Sequence, residues 1–322
     1  MTSTITRVAQ LTNVAVHPAT NAGARYRSAR VGGFPAEPGL NLRNFGGRTI
    51  EHLTFTHVYL GGEAAWSPAD VDNIDWALPA AMRDEHLNNV IAQYYPDGKP
   101  TAAFEASRYI EGPLPERVFR NTIEGFVAAL DVTGFPLSST VFCLLLPRGV
   151  VLVDGDSPGH AKRRDKDDAE PTFREHDEAS DSKHGLGGFH GSIHRKRGAE
   201  TQTLYYAVGV YDEGPNGIAV FREPWKNICA VFYHELCEAR TDPDVEDAIR
   251  AGDAPDADRF LGWYSPRGGE IGDIPLDEAG GDLRAVIKEV PLTRSTRKVP
   301  IQLMWSNAVA GPEGPIATEH GS

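Results

Sequence analysis

Ile228-Cys229-Ala230-Val231-Phe232-Tyr233-His234-Glu235-Leu236-Cys237-Glu238-Ala239-Arg240-Thr241-Asp242-Pro243 is the stretch on which the fold turns. Ile228, Val231, Phe232, Leu236 and Ala239 fall near helical spacing and give one apolar face. Pro243 pushes Asp242 out of the α region, so the helix stops there. His234 and Glu238 stand four apart and project from one face, with Cβ atoms roughly 5–6 Å apart. Two side chains at that reach can hold one metal ion. Glu235 is turned by about 100° from His234 on a helix of 3.6 residues per turn. It can stand beside the metal as a general base without ligating it. The logic is that of His-Glu-x-x-His with a carboxylate in place of the second His. Solvated His–Glu pairs on helices are common and need no metal. Here the ionisable groups interrupt an apolar stretch, where burial is expensive unless they are paired or hold a cation.

Two ligands do not complete a site. Downstream lie Gly262-Trp263-Tyr264-Ser265 and Gly268-Gly269-Glu270-Ile271-Gly272-Asp273, a glycine-flanked pair of carboxylates at i and i+3. Such a loop can return to the helix and supply a third ligand. Spacing alone does not separate Glu270 from Asp273. The longer arm favours Glu270 on the metal, leaving Asp273 to orient His234 through its other ring nitrogen. Upstream, Leu186-Gly187-Gly188-Phe189-His190-Gly191-Ser192-Ile193-His194 sets His190 among glycines that permit close backbone approach. We expect His190 to touch substrate or a developing oxyanion, and to be the next candidate ligand if neither loop acid serves.

Around this centre the chain reads as alternating strands and helices. Leu53–Leu60 and Thr203–Tyr211 are strands, and Ser138–Leu146 is an apolar strand of the kind buried on both faces. Val150–Val153 continues or pairs with it. Ser67-Pro68-Ala69-Asp70 opens a helix running toward Leu78, and a second begins near Asp84-Glu85. Leu114-Pro115-Glu116-Arg117 opens a third, with Val118, Ile123, Phe126, Val127 and Leu130 inward. His57 reads as a polar residue on a strand face rather than a ligand. Leu283–Val290 reads as helix or strand, and Ile301–Trp305 as a closing strand. Residues 1–45 form an irregular arm with a short strand at Val8–Val16, and residues 311–322 a flexible tail. Residues 156–185 are dense in charge of both signs and read as a solvated loop or insertion. His160, His176 and His184 within it make poor preorganised ligands.

The length of 322 residues, 40% hydrophobic and 24% charged, is that of a globular chain with an ample core. Its formal charge of −13 and pI near 5.3 disfavour nucleic-acid binding. Cys143, Cys229 and Cys237 lack Cys-x2-Cys spacing and read as buried free thiols. No apolar run of about 18 residues marks a membrane span. Met1–Arg7 has no leader-like core, which reads as cytoplasmic, or as secreted if a leader has been removed.

Strand, ligand helix and returning acidic loop follow the zincin order. The segments Gly188-Phe189-His190, Tyr233–Pro243, Gly262-Trp263-Tyr264, Gly269-Glu270-Ile271-Gly272-Asp273 and Trp305-Ser306-Asn307 resemble the Exordium, or phosphate-induced, family and its bacterial relatives. Tyr59, Trp66-Ser67-Pro68 and Gln93-Tyr94 are similar to that family's N-terminal half, so the resemblance spans most of residues 50–310. It implies a zincin-like metal site carried by His234, Glu238 and the Glu270/Asp273 loop, with Glu235 as acid/base. This chain lacks the family's leader and paired cysteines, and has Pro275 where the family often has a Cys.

We therefore expect a single α/β (α+β) domain over residues 46–310, zincin-like and of metallopeptidase type, with a mixed sheet and a metal-binding helix. The expected function is a metal-dependent hydrolase, foremost a peptidase, acting on a peptide or other small polar substrate. Zn2+ is the expected ion, with Mn2+ or Fe2+ suited to so anionic a site. The competing reading is a non-catalytic binding or signalling protein with a structural metal. A metal-dependent oxygenase is disfavoured, because those sites normally take two His and one acid.

Overall fold

Apolar alternation along the strands puts hydrophobic groups on both faces of one sheet. In Thr140–Leu146, Val141, Cys143 and Leu145 enter one core while Phe142, Leu144 and Leu146 enter the other. Such a strand belongs in the middle of a parallel sheet covered on both sides, and it is found there. A computed structural model describes residues 5–7, 31–84, 86–95, 100–157, 180–198, 200–252, 254, 256–293 and 295–314. The expected strand at Val8–Val16, the charged residues 158–179 with His160 and His176, and residues 315–322 lie outside the described residues.

The architecture is mixed α/β. Its six-stranded sheet uses β1 (Ile5–Arg7), β2 (His52–Leu60), β3 (Thr101–Ile110), β4 (Thr140–Leu146), β5 (Gly188–Arg197) and β6 (Glu200–Val210), in the order β1-β3-β2-β4-β6-β5. The four central strands are parallel, whereas the edges β1 and β5 are antiparallel to their neighbours. Helices α1 (Pro68–Arg83) and α3 (Pro224–Thr241) cover one face, and α2 (Arg120–Ala129) the other. Every residue of α3 from Asn227 to Thr241 is buried. Pro224 starts it where a missing N–H is harmless. Asp242 leaves the helix at φ −149° ahead of Pro243, as the sequence requires. A hairpin of Ile287–Pro291 and Lys298–Gln302 packs beside α1 and α3.

Several local expectations change. The residues after Leu114 do not begin a helix: Arg117–Phe119 pairs in parallel with Val151–Val153, and α2 starts at Arg120. Pro113 and Pro115 disfavour helix in the residues before them, and the buried Val118 and Leu152 pair side by side. Helix α1 runs past Leu78 to Arg83 through Pro79, held by a fully buried face at Ile74, Ala77, Leu78 and Ala81. The helix expected after Asp84 is a single turn, Asn89–Ala92.

The described part of the N-terminal arm is anchored. The Leu42 N–H donates to Asn307 Oδ1 at 2.8 Å, and Asn307 Nδ2 donates to the Leu42 carbonyl at 2.8 Å. Gly311–Glu313, expected in the tail, is a buried strand paired with Met304–Ser306. Cys143, Cys229 and Cys237 are free and buried. Among the described residues no helix is long and apolar enough to cross a membrane.

Candidate metal centre

Three elements bring the expected site residues together. Helix α3 presents His234, Glu235 and Glu238, edge strand β5 brings His190, and the loop before Asp273–Glu278 brings Glu270 and Asp273. On β5 the two-residue period sends Phe189 and Ile193 into the core under α2 and turns His190 toward α3. Glycines let the strand pass close to the helix. A Cβ on Gly188 would lie 2.9 Å from Val231 Cγ1 and 3.1 Å from Glu235 Oε1.

The contacts converge on Glu238. Its Oε2 lies 3.0 Å from His234 Nε2 and 3.6 Å from His190 Nδ1. Its Oε1 accepts the backbone N–H groups of Gly272 and Asp273, both at 3.1 Å. Glu235 Oε2 is 3.4 Å from His190 Nδ1, and Glu235 Oε1 is 4.0 Å from His234 Nε2. Asp273 Oδ1 is 3.6 Å from His234 Nε2, and Glu270 Oε1 is 3.6 Å from His190 Nε2. His190, Glu238 and Glu270 each offer a donor atom within 4.8 Å of the others, as do His234, Glu235 and Glu238. Gly272 is required here: a Cβ would sit 2.5 Å from His234 Nδ1 and 2.9 Å from Glu238 Oε1.

Gln302 was not expected. Its Nε2 donates to the Gly272 carbonyl at 2.6 Å, which fixes the amide so that Oε1 faces His234 Nδ1 at 3.1 Å. His234 Nδ1 therefore carries a proton, and Nε2 faces Glu238. Asp273, expected on that other ring nitrogen, instead lies on the Nε2 side. The signal available in the sequence was slight: one buried polar side chain closing Val299-Pro300-Ile301-Gln302.

The electrostatics are those of a crowded anion cluster. His190, His234, Glu235, Glu238 and Glu270 are all buried. No Lys or Arg pairs with Glu235, Glu238, Glu270 or Asp273 among the described residues. Burial and then the neighbouring Glu238 push the Glu270 carboxyl well above its ordinary value. Asp273, with 49% of its side chain in water, is raised by partial desolvation and by Glu238. Burial raises Glu235 too, against the pull of His190 and His234. Burial alone would lower both histidines, yet the facing carboxylates win. His190 is raised to about 9 and His234 to about 10. Glu238 is lowered, because the two imidazoles and the Gly272 N–H outweigh its burial.

The residues fit a divalent cation. The donors are imidazole and carboxylate, two protonated imidazoles now hold the place of positive charge, and the buried Glu270 Oε1 has no hydrogen-bond partner. The other histidines stand apart. His57, read as a polar face residue, is completely buried with Nδ1 2.6 Å from Asp75 Oδ1. His194 shares the face of His190 but is partly exposed, with Nε2 2.6 Å from Asp247 Oδ2. His184 is an exposed neighbour of Asp181. No family model, curated protein or solved structure matches the chain.

Proposed function

We propose that this chain is a zincin-like metal-dependent hydrolase, foremost a peptidase, whose zinc is held by His234 and Glu238 with help from the Glu270/Asp273 loop. One observation carries the reading. His234 and Glu238 close to 3.0 Å on a buried helix, beside a second carboxylate, Glu235, with no Lys or Arg paired to them among the described residues. A sheet whose antiparallel edge strand lies against the ligand helix supports the zincin comparison, as does the resemblance to the Exordium family.

A bound divalent ion would act as a Lewis acid and make water a better nucleophile near neutral pH. The protein supplies the rest. Gln302 holds the tautomer of His234 through Nδ1. The Gly272 and Asp273 N–H groups hold Glu238 Oε1 and leave Oε2 directed inward. Glu235 takes the proton from water on its carboxylate and returns it to the leaving amine; its raised pKa suits that exchange. Asp273, half in water, marks the side of the centre that reaches solvent.

The second reading, a structural metal in a non-catalytic protein, is favoured by burial: Glu238 is only 3% and Glu235 4% exposed. Protein purified without added metal, subjected to elemental analysis and assayed on peptides, separates the two. Glu235→Gln should keep folding and metal content and lower hydrolysis by about 10²–10⁴-fold. A variant that loses its metal would make Glu235 a ligand instead, and wild type that holds metal but hydrolyses nothing would favour the structural reading.

A further inference from the structure

We infer that His190, from the edge strand, is a metal ligand through Nδ1, so that two imidazoles, one from the strand and one from helix α3, hold the ion together with Glu238. The inference rests on the proposed metal centre and replaces the substrate contact expected of His190.

The tautomer carries the argument. His190 Nε2 lies 3.2 Å from the Asp242 backbone carbonyl. A carbonyl only accepts, so Nε2 keeps its hydrogen, and the proton given up when an ion binds is the one on Nδ1, whose lone pair then faces inward. That nitrogen is turned inward, 3.4 Å from Glu235 Oε2 and 3.6 Å from Glu238 Oε2. His234 is built the same way in mirror sense: its Nδ1–H is held by Gln302 Oε1 and its Nε2 meets the same Glu238 oxygen at 3.0 Å. Ligating histidines characteristically have their outer ring nitrogen held by an oxygen acceptor, which fixes ring and tautomer. Here both rings have one, supplied by segments 60 residues apart in sequence, Asp242 and Gln302.

The separations also agree. Donors bound to one tetrahedral zinc at roughly 2.0–2.2 Å lie about 3.3–3.6 Å from one another. Against Glu238 Oε2 the two imidazoles stand at 3.0 and 3.6 Å, while His190 and His234 belong to different sets of donors within 4.8 Å of one another, so that the rings must close toward each other when one ion is bound. Glu270 meets His190 on the opposite, Nε2 side. It thereby flanks the hydrogen-bearing side of the His190 ring without a hydrogen bond to it, and is not the third ligand.

The role of the helix stop changes with this. Asp242 leaves α3 because Pro243 follows it, and the carbonyl released at the helix end is the one that holds His190. Its side chain is anchored in turn, Oδ1 accepting the Gly262 N–H at 2.8 Å. The Asp-Pro ending of the motif is thus part of the site.

The test uses the full chain. Protein labelled with ¹⁵N-histidine and loaded with ¹¹³Cd should show metal–nitrogen coupling at His190 Nδ1 and His234 Nε2. With zinc, competition against a chromogenic chelator should show His190→Asn losing more than the roughly 10–100-fold expected of an outer partner, and Glu270→Gln losing no more than that. His190→Cys loaded with Co2+ should display a thiolate-to-cobalt charge-transfer band. Coupling at His234 alone, with His190→Asn folded and binding zinc as wild type does, would overturn the inference and leave the metal centre standing. Wild type that takes up neither cadmium nor zinc would overturn both.

Discussion

Two clusters in this protein bury a histidine among acids on the same side of the sheet, and they are built on opposite plans. In the first, a single carboxylate is saturated. Asp75 Oδ1 accepts from His57 Nδ1 at 2.6 Å and from the Tyr59 hydroxyl at 2.7 Å, while Oδ2 accepts from Ser107 Oγ at 2.7 Å. The rings of Phe55, Phe104 and Tyr59 pack around His57. In the second, carboxylates outnumber the donors: Glu235, Glu238, Glu270 and Asp273 share two imidazoles and two backbone N–H groups. Burying polar groups stabilises a fold only when their hydrogen bonds are made. The first cluster meets that condition at its carboxylate with protein atoms alone, although the buried His57 Nε2 has no partner. The second meets it with protons, and a divalent ion would meet it better.

The comparison breaks most visibly at Asp75. Asp75→Ala strands three buried donors and should lower unfolding stability by about 3–5 kcal/mol in urea titrations, while zinc affinity per folded molecule stays unchanged. Glu270→Gln should move the metal-free chain the other way. Its carboxyl is held well above the ordinary value by burial and by Glu238, so that carrying charge there opposes folding. An amide removes that burden, and the metal-free midpoint should rise. A fall comparable to that of Asp75→Ala would show that the two clusters are alike after all.

Zinc sharpens the contrast further. At about 100 times its Kd it should add about 2.7 kcal/mol to stability, and His234→Ala should abolish the gain while Asp75→Ala keeps it. Thermal melts with and without chelator read this directly. Gln302→Ala removes only the partner of His234 Nδ1 and should weaken zinc by roughly 10–100-fold, with little change in the metal-free melt. Binding indistinguishable from wild type would remove Gln302 from the site.

The smallest effect is in protons. With pKa values raised to about 9 and about 10, His190 and His234 are both protonated at pH 7 before metal binds. Ligation of both rings should therefore release about two protons. Affinity should rise with pH until these groups have titrated and fall below it, as protons compete for the lone pairs. Calorimetry in buffers of different ionisation enthalpy counts the protons, and release of none would contradict ligation by either ring.

Much of the centre was legible because it is local. Four-residue spacing puts His234 and Glu238 on one face of a helix, Glu235 falls beside them, Pro243 stops the helix, and glycines flank the acids at Glu270 and Asp273; each follows from bond geometry over a few residues. Strand patterns likewise placed β2, the doubly buried β4 and β6, while the central strand β3 and the short edge β1 went unread. What local pattern could not supply was partnership across the chain. His190 meets Glu235 over 45 residues and Gln302 meets His234 over 68. His57 looked like a surface residue until Asp75 and Ser107, from a helix and a neighbouring strand, closed around it. The sequence by itself determined the helix, its His–Glu face and its end, because these are short-range consequences of backbone geometry. Only the tertiary structure decided which nitrogen of each imidazole faces inward and which acid stands behind it, because a tautomer is chosen by the hydrogen-bond acceptor on the far side of the ring, and that acceptor comes from another part of the chain.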